Sequence, residues 1–287
     1  MHFISVIVRY LNEPYIQEFI DYYFSEGIDH IYLLYDIKST IPLPISIREH
    51  PKITVKNAKE IKSVPRENLW KEANLLYQEV RNQSEWFMYV DCDEFISTYT
   101  KLEKYTIRTF LSMYLNHEIN CVMVPWVMMS SNYSQKDPPS ILQHNVHRWS
   151  HDVEHKKGEN GWMGHLCIYQ KNKIKCIFKS EIFDSFNDHC PNPAPKACCV
   201  NALNGKKHKI PSSCISGMRE NNMKNAYLLC FHYRIISLES AQRKMLDNGF
   251  DKYRDSLQNI LQNDYPEKKE FFLRKKSLDR FGSKKYR

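Results

Sequence analysis

Asp91-Cys92-Asp93-Glu94 follows directly on the run Trp86-Phe87-Met88-Tyr89-Val90. Residues i and i+2 of an extended backbone point to the same side, so Asp91 and Asp93 project together. Two carboxylates placed that way repel each other unless a cation lies between them. Hard divalent ions that also carry a substrate phosphate are held in this manner. The same letters suit a polar strand end that caps a following helix, so the motif gains weight only from its surroundings.

Other polar clusters fall where a parallel sheet would gather them. Arg9 through Glu13 follow one apolar run, and Asp36 with Lys38 and Ser39 follows another. In open parallel sheets ligands bind outside the carboxyl ends of the strands. One crevice can therefore collect a base-and-ribose site from Arg9, Asn12, Glu13 and Asp36, and a metal-diphosphate site from Asp91 and Asp93. The chain has no GxGxxG and no GxxxxGK[ST]. A diphosphate bound without a glycine cradle needs a cation.

His232-Tyr233-Arg234 closes a later apolar run. His232 there can complete a metal shell or touch phosphate, and Arg234 can pair with phosphate oxygens. Taken alone, a His in that place is more often structural. Asp184 and Asp188, in an irregular segment ending at His189, are candidate catalytic bases, although their spacing has no specificity. Cys190, Cys198, Cys199 and Cys214, with His189 and His208, have the residue types of a structural zinc site but not its usual C-x₂-C pairs. Gly158, Gly161 and Gly164 around Trp162 read as a loop, where Trp162 could stack on a sugar ring.

The elements that must position these groups alternate strand and helix over the first ~125 residues, which implies a mainly parallel sheet with helices packed on it. Strands are expected at 3–9, 31–35, 53–55 and 86–90. A helix starts near Pro14, with Ile16, Phe19, Ile20, Tyr23 and Phe24 on one face and Gly27 as its stop. A second helix is expected over 66–80 and a third over 105–115. A strand at 122–126 should be ended by Pro125. Residues 130–165 then read as a long functional loop. A hairpin of 166–169 with 175–178, an irregular stretch over 184–225, a strand at 228–231 and helices at 238–248 and 253–262 complete the reading.

The bulk numbers narrow the class. No run of 18 or more apolar residues occurs, and the first residues read as a strand, not a signal peptide. Nine cysteines, an odd number, suit a reducing compartment better than a secreted disulfide framework. A cytoplasmic location is expected. Of the net charge of +8, +6 lies in Tyr265–Arg287, with nine Lys/Arg against three Asp/Glu. That basic tail, interleaved with Phe271, Phe272, Leu273 and Phe281, suits peripheral contact with an anionic membrane or an ordinary solvated helix. No specific nucleic-acid binding is expected from it.

Taken in order, these pieces resemble a family. Arg9-x-x-Asn12-Glu13, Gly27-Ile28-Asp29-His30-Ile31-Tyr32, Tyr35-Asp36 and the Trp86–Phe95 stretch are similar to the family 92 and family 2-like glycosyltransferases of the GT-A fold. Val124-Pro125-Trp126, Lys175–Lys179 before His189, and His232-Tyr233-Arg234 with Ser237 and Lys244 continue the likeness, which runs over about 3–247. It implies a GT-A-like α/β domain over 1–247, with a nucleotide-binding half (1–125) and an acceptor half (126–247). A basic helical tail over 248–287 follows. It also implies transfer of a sugar from a nucleotide sugar, a UDP-sugar, to a hydroxyl of a glycan, glycoprotein or glycolipid acceptor. Asp91 and Asp93 would hold Mn²⁺ or Mg²⁺ against the diphosphate, with His232 as a further metal or diphosphate contact. Asn12, Glu13 and Asp36 would lie near the nucleoside. Inversion at the sugar carbon would need a carboxylate base.

Two departures stand out. Relatives carry Asp-Asn where this chain has Asp36-Ile37, and their glycine-containing loop is Met128–Tyr133 here, without glycine. A sugar-phosphate nucleotidyltransferase would also use Asp-bound metal, but it normally has a Gly-rich first loop, which 9–14 lacks. A non-catalytic carbohydrate- or membrane-binding module on the same fold is the other reading, and intact Asp91 and Asp93 weigh against it.

Overall fold

The structure is a computed structural model, and it describes residues 1–58, 69–153, 172–248, 257, 261 and 264–286. Strands β1 (His2–Tyr10), β2 (His30–Tyr35), β3 (Ile53–Asn57) and β4 (Ser84–Tyr89) pair in parallel, in the spatial order β3-β2-β1-β4. Helices α1 (Ile16–Ser25), α2 (Ile45–Arg48) and α3 (Leu69–Val80) lie in the connections. The βαβ rhythm read from the sequence accounts for this half. Residues 66–68 of the second expected helix lie outside the described residues.

Beyond β4 the sheet becomes mixed. Strand β5 is Glu94–Thr98, and the expected helix near 105–115 is a short α4 (Ile107–Thr109) continuing as a π-turn, Phe110–Tyr114. Strand β6 (Cys121–Ser130) does not stop at Pro125. Its first half pairs with β8 (Asn172–Lys179), and from Trp126 it pairs with β12 (Leu228–His232). Pro125 sits where the strand changes partner, a place where a missing N–H costs the ladder little.

Within the loop expected at 130–165, residues up to 153 hold α5 (Ile141–His144) and β7 (His147–Arg148), and the rest lies outside the described residues. So do the 166–169 arm of the expected hairpin and Gly158, Trp162, Gly161 and Gly164. The remaining short elements are β9 (Cys199–Asn201), β10 (Lys207–His208), β11 (Cys214–Ile215), α6 (Glu220–Met223), α7 (Leu238–Asn248), β13 (Lys268–Lys269) and α8 (Phe272–Phe281). The helix expected at 253–262 falls almost wholly outside the described residues. Among the described residues, no helix is long and apolar enough to cross a membrane.

Helix α1 carries the core to the back of β5. Its Tyr23 hydroxyl donates to the Glu94 carbonyl at 2.8 Å and its Tyr22 hydroxyl to the Ile96 carbonyl at 2.8 Å. Phe95 packs among Phe19, Tyr22, Tyr23 and Tyr233. The helix ends in a Schellman turn, in which the Ile28 N–H donates to the Tyr23 carbonyl at 3.1 Å. Gly27 supplies the positive φ of 85°, and a Cβ there would lie 2.6 Å from Cβ of Arg108. Replacing Gly27 with alanine should therefore cost about 1–3 kcal/mol. A urea melt checks this, and an unchanged midpoint would mean that Arg108 can move aside.

The tail is docked on the domain. Lys276 and Arg280 of α8 both bond Glu26, at 2.6 and 2.7 Å, and Lys276 also donates to Ser97 and Thr98 hydroxyls. Lys284 reaches Asp21 at 3.0 Å. Three of the basic groups that dominate the tail's charge are thus satisfied within the protein, while Phe271 remains partly exposed.

Candidate active site

The parallel half sets β1, β2 and β4 side by side, so Arg9–Glu13, Asp36 and Asp91 gather at the same sheet edge. Arg9 grips Asp36 through Nε (3.2 Å) and Nη2, and the Lys38 N–H donates to the other Asp36 oxygen at 2.9 Å. Asn12 adopts a left-handed φ of 52°, a conformation that Asn tolerates better than most residues. Its Oδ1 accepts the N–H groups of Thr40 and Ile41, both at 2.8 Å. Arg9, Asn12 and Asp36 hence shape the loop after β2.

After β4 the chain turns at 91–93 and returns as β5. Glu94 is therefore not the cap of a following helix. It opens a strand paired antiparallel to β12, with Glu94 opposite His232. The Tyr233 N–H donates to the Asp93 carbonyl at 2.8 Å. This pairing brings two motifs 139 positions apart in the chain into contact: Asp93 Oδ1 lies 3.6 Å from His232 Nε2. Lys244 of α7 bonds the other Asp93 oxygen and donates to the Arg234 carbonyl at 3.2 Å.

The electrostatics fit a cation site. Burial would raise the Asp93 pKa, but Lys244, then His232 and Arg234, hold it down at about 2. Burial pushes His232 down to about 3 against the pull of Asp93, which leaves a neutral imidazole, the form that ligates metals. His232 lies 4.4 Å from the Trp126 ring, and its Nδ1 is buried without a hydrogen-bond partner. Glu13 is lifted to about 7 by burial, with Asp93 and Asp91 adding to the effect and Lys244 opposing it.

Asp91 is partnered differently. Its Oδ2 accepts Lys175 Nζ at 3.3 Å, and Lys175, only 1% exposed, also meets Glu94 at 3.0 Å and the Asp188 carbonyl at 3.0 Å. Burial opposes the Lys175 ammonium, yet Asp91, Glu94 and Asp188 together hold its pKa well above the ordinary value. Burial raises the Glu94 carboxyl in turn. Neither Lys175 nor Glu94 was expected at the site. In the sequence, Lys173-Ile174-Lys175-Cys176 alternates as a strand with solvent-facing lysines would, so no local signal marks one of them as buried.

The two candidate bases part company. Asp184 is 85% exposed and bonds Arg81, at the amino end of β4, opposite the edge that carries Asp91. The reason is packing: the Tyr77 hydroxyl donates to the Phe183 carbonyl, and Asn74 bonds the backbone of Phe186, so the segment runs along α3 before it reaches the site. Asp188 arrives beside Lys175, and its Oδ2 lies 3.8 Å from His189 Nε2. Among the described residues no three His, Cys, Asp or Glu side chains are grouped to hold a metal, the cysteine set considered for zinc included. Asp93 with His232 supplies two donors. Magnesium-type sites are commonly built from one or two carboxylates plus substrate phosphates, so this set fits a divalent ion that a diphosphate completes.

The model of glycosyltransferase family 92 matches residues 8–270. The chain belongs to glycosyltransferase family 92. The match spans Arg9, Asp91, Asp93, Lys175, Asp188, His232 and Lys244, and stops just short of α8. No curated protein matches the family 92 chain. Among solved structures it is similar to a glycosyltransferase involved in the glycosylation of the major capsid of PBCV-1. The identity is 15%, the TM-score is 0.24, and the similarity covers 47% of this chain and 54% of that one. The chain thus spans about half the length of that relative.

Proposed function

We propose that this family 92 protein transfers a sugar from a nucleotide sugar, a UDP-sugar, to a hydroxyl group of a glycan, glycoprotein or glycolipid, with the help of Mn²⁺ or Mg²⁺ and with inversion at the sugar carbon. The observation that carries the reading is the meeting of Asp93 and His232 at neighbouring strand ends, with Lys244 and Arg234 beside them. Asp93 and His232 would supply the two protein donors to the metal, and Asp91 would face the metal-diphosphate from the Lys175 side. The ion would act as a Lewis acid that stabilises the charge developing on the leaving diphosphate. Arg234 and Lys244 add fixed positive charge on the same side.

Position supports the remaining roles in this reading. Arg9, Asn12, Glu13 and Asp36 line the edge at which the nucleoside would sit. Asp188 is the base of this reading, in preference to Asp184. It takes the acceptor hydroxyl proton as that oxygen bonds to the anomeric carbon and the bond from that carbon to the diphosphate oxygen breaks. Trp126 Nε1 and Asn172 Oδ1, both buried without partners, are a donor and an acceptor that sugar hydroxyls or waters would satisfy.

Mn²⁺ with UDP should raise the melting temperature. Binding at 100 times the dissociation constant stabilises by about 2.7 kcal/mol, and Mn²⁺ alone should shift the melt less. A screen of nucleotides with and without Mn²⁺ by thermal shift tests this. No shift with any nucleotide would favour a module on the same fold that binds without turnover.

A further inference from the structure

The buried ammonium of Lys175 touches both halves of the site. It bonds Asp91 Oδ2 of the metal side at 3.3 Å and the backbone carbonyl of Asp188, on the base-bearing segment, at 3.0 Å. Glu94 anchors it from below at 3.0 Å, and the Tyr89 ring lies 5.1 Å away. Glu94 in turn accepts the Asp91 N–H at 2.8 Å, so backbone and side chain of Asp91 are both held through this one pair. Among the described residues, Oδ2 is the Asp91 oxygen that is engaged. The side chain remains 47% exposed, so its other oxygen can face a ligand. A long buried side chain with three acceptors has little freedom left, and the carboxylate it holds is fixed in turn.

We propose that Lys175 is a positioning residue for sugar transfer, an ammonium that aims the free oxygen of Asp91 at the metal-diphosphate and ties the Asp188 segment to the same point. This rests on the functional reading above. Lys175 does not compete with the metal for Asp91, because it bonds Oδ2 and leaves Oδ1 to a ligand. Its removal should weaken metal binding rather than strengthen it. It should also slow turnover, because Asp91 and the base lose their common anchor.

Lys175→Met removes the charge and keeps all but about one atom of the length. Partner residues around a metal site typically change metal affinity or activity by about 10–100-fold when mutated. The Mn²⁺ concentration for half-maximal UDP binding should rise by a factor in that range, and kcat for UDP-glucose or UDP-galactose hydrolysis should fall by a similar factor. Stranding Glu94 beside Asp91 without a counter-ion endangers folding. The double variant Lys175→Met/Glu94→Gln keeps the buried pair neutral, and it should fold and show the same loss. Lys175→Arg, which keeps the charge, should recover part of kcat.

A folded double variant with wild-type Mn²⁺ response and turnover would overturn the proposal. So would loss of stability in the variants with kinetics unchanged per folded molecule, which is how a purely structural lysine behaves. If the wild-type protein bound no Mn²⁺-UDP at all, the functional reading would fall first and this proposal with it.

Discussion

Asp93→Ala should abolish turnover of a nucleotide sugar, with kcat/KM down by about 10²–10³-fold or more, the range for losing a metal-site or charge-stabilising group. Asp93 faces His232 and is the partner of Lys244, so one substitution removes the proposed metal donor and the counter-charge of a cation. The alanine variant should also lose the thermal shift caused by Mn²⁺ and UDP. Asp93→Asn separates the two effects, because the amide keeps the shape and can still accept from Lys244 but is a poor ligand for a hard cation. Both variants should be inactive, with Asn the more stable. Normal sugar-nucleotide hydrolysis by the alanine variant would sink the assignment of this site. An Asn variant that kept full activity would leave the site in place but remove the metal role of Asp93.

The second large effect is on stability. Glu26 is fully buried and neutralises Lys276 and Arg280 of α8, and it also accepts the Ile107 N–H at 3.0 Å at the start of α4. Glu26→Gln strands two cations at a buried contact. Breaking a buried pair by removing one partner costs about 3–5 kcal/mol. For a chain of this size that is a fall in melting temperature of about 6–20 °C. Glu26 lies outside the site, so activity per folded molecule should hold at low temperature. A calorimetric scan reads the shift. A change of under a degree would mean that α8 holds on by its apolar contacts, among them Phe272 against Tyr99 and Phe231. The basic tail reads as a charge excess in the sequence because nothing local shows that Glu26, some 250 positions earlier, absorbs part of it.

How far each element was legible depends on how local its cause is. Helix α1 and its stop at Gly27 are written in one apolar stripe and one glycine, and the parallel strands before residue 90 are apolar runs with polar ends. Strand β5 was missed because Glu94 looks like a cap, whereas the pairing that makes it a strand comes from β12, far along the chain. Pro125 misled for the same reason: whether a proline ends a strand depends on the partner its N–H would have faced. Asp184 and Asp188 are indistinguishable by sequence, and the packing of Phe183 and Phe186 on α3 and β4 separates them.

By itself the sequence determined the family: the order of its pieces places the chain in glycosyltransferase family 92, and one of those pieces is a paired Asp motif after a buried strand. Each piece is a short-range pattern, set by residues within a few positions of one another. The tertiary structure alone decided which charges meet. It put His232 and Lys244 on Asp93, buried Lys175 and Glu94 against Asp91, and carried Asp184 to the far edge. Charge pairing is a matter of distance in space, and a strand that returns from far along the chain sets that distance without leaving a mark in the local sequence.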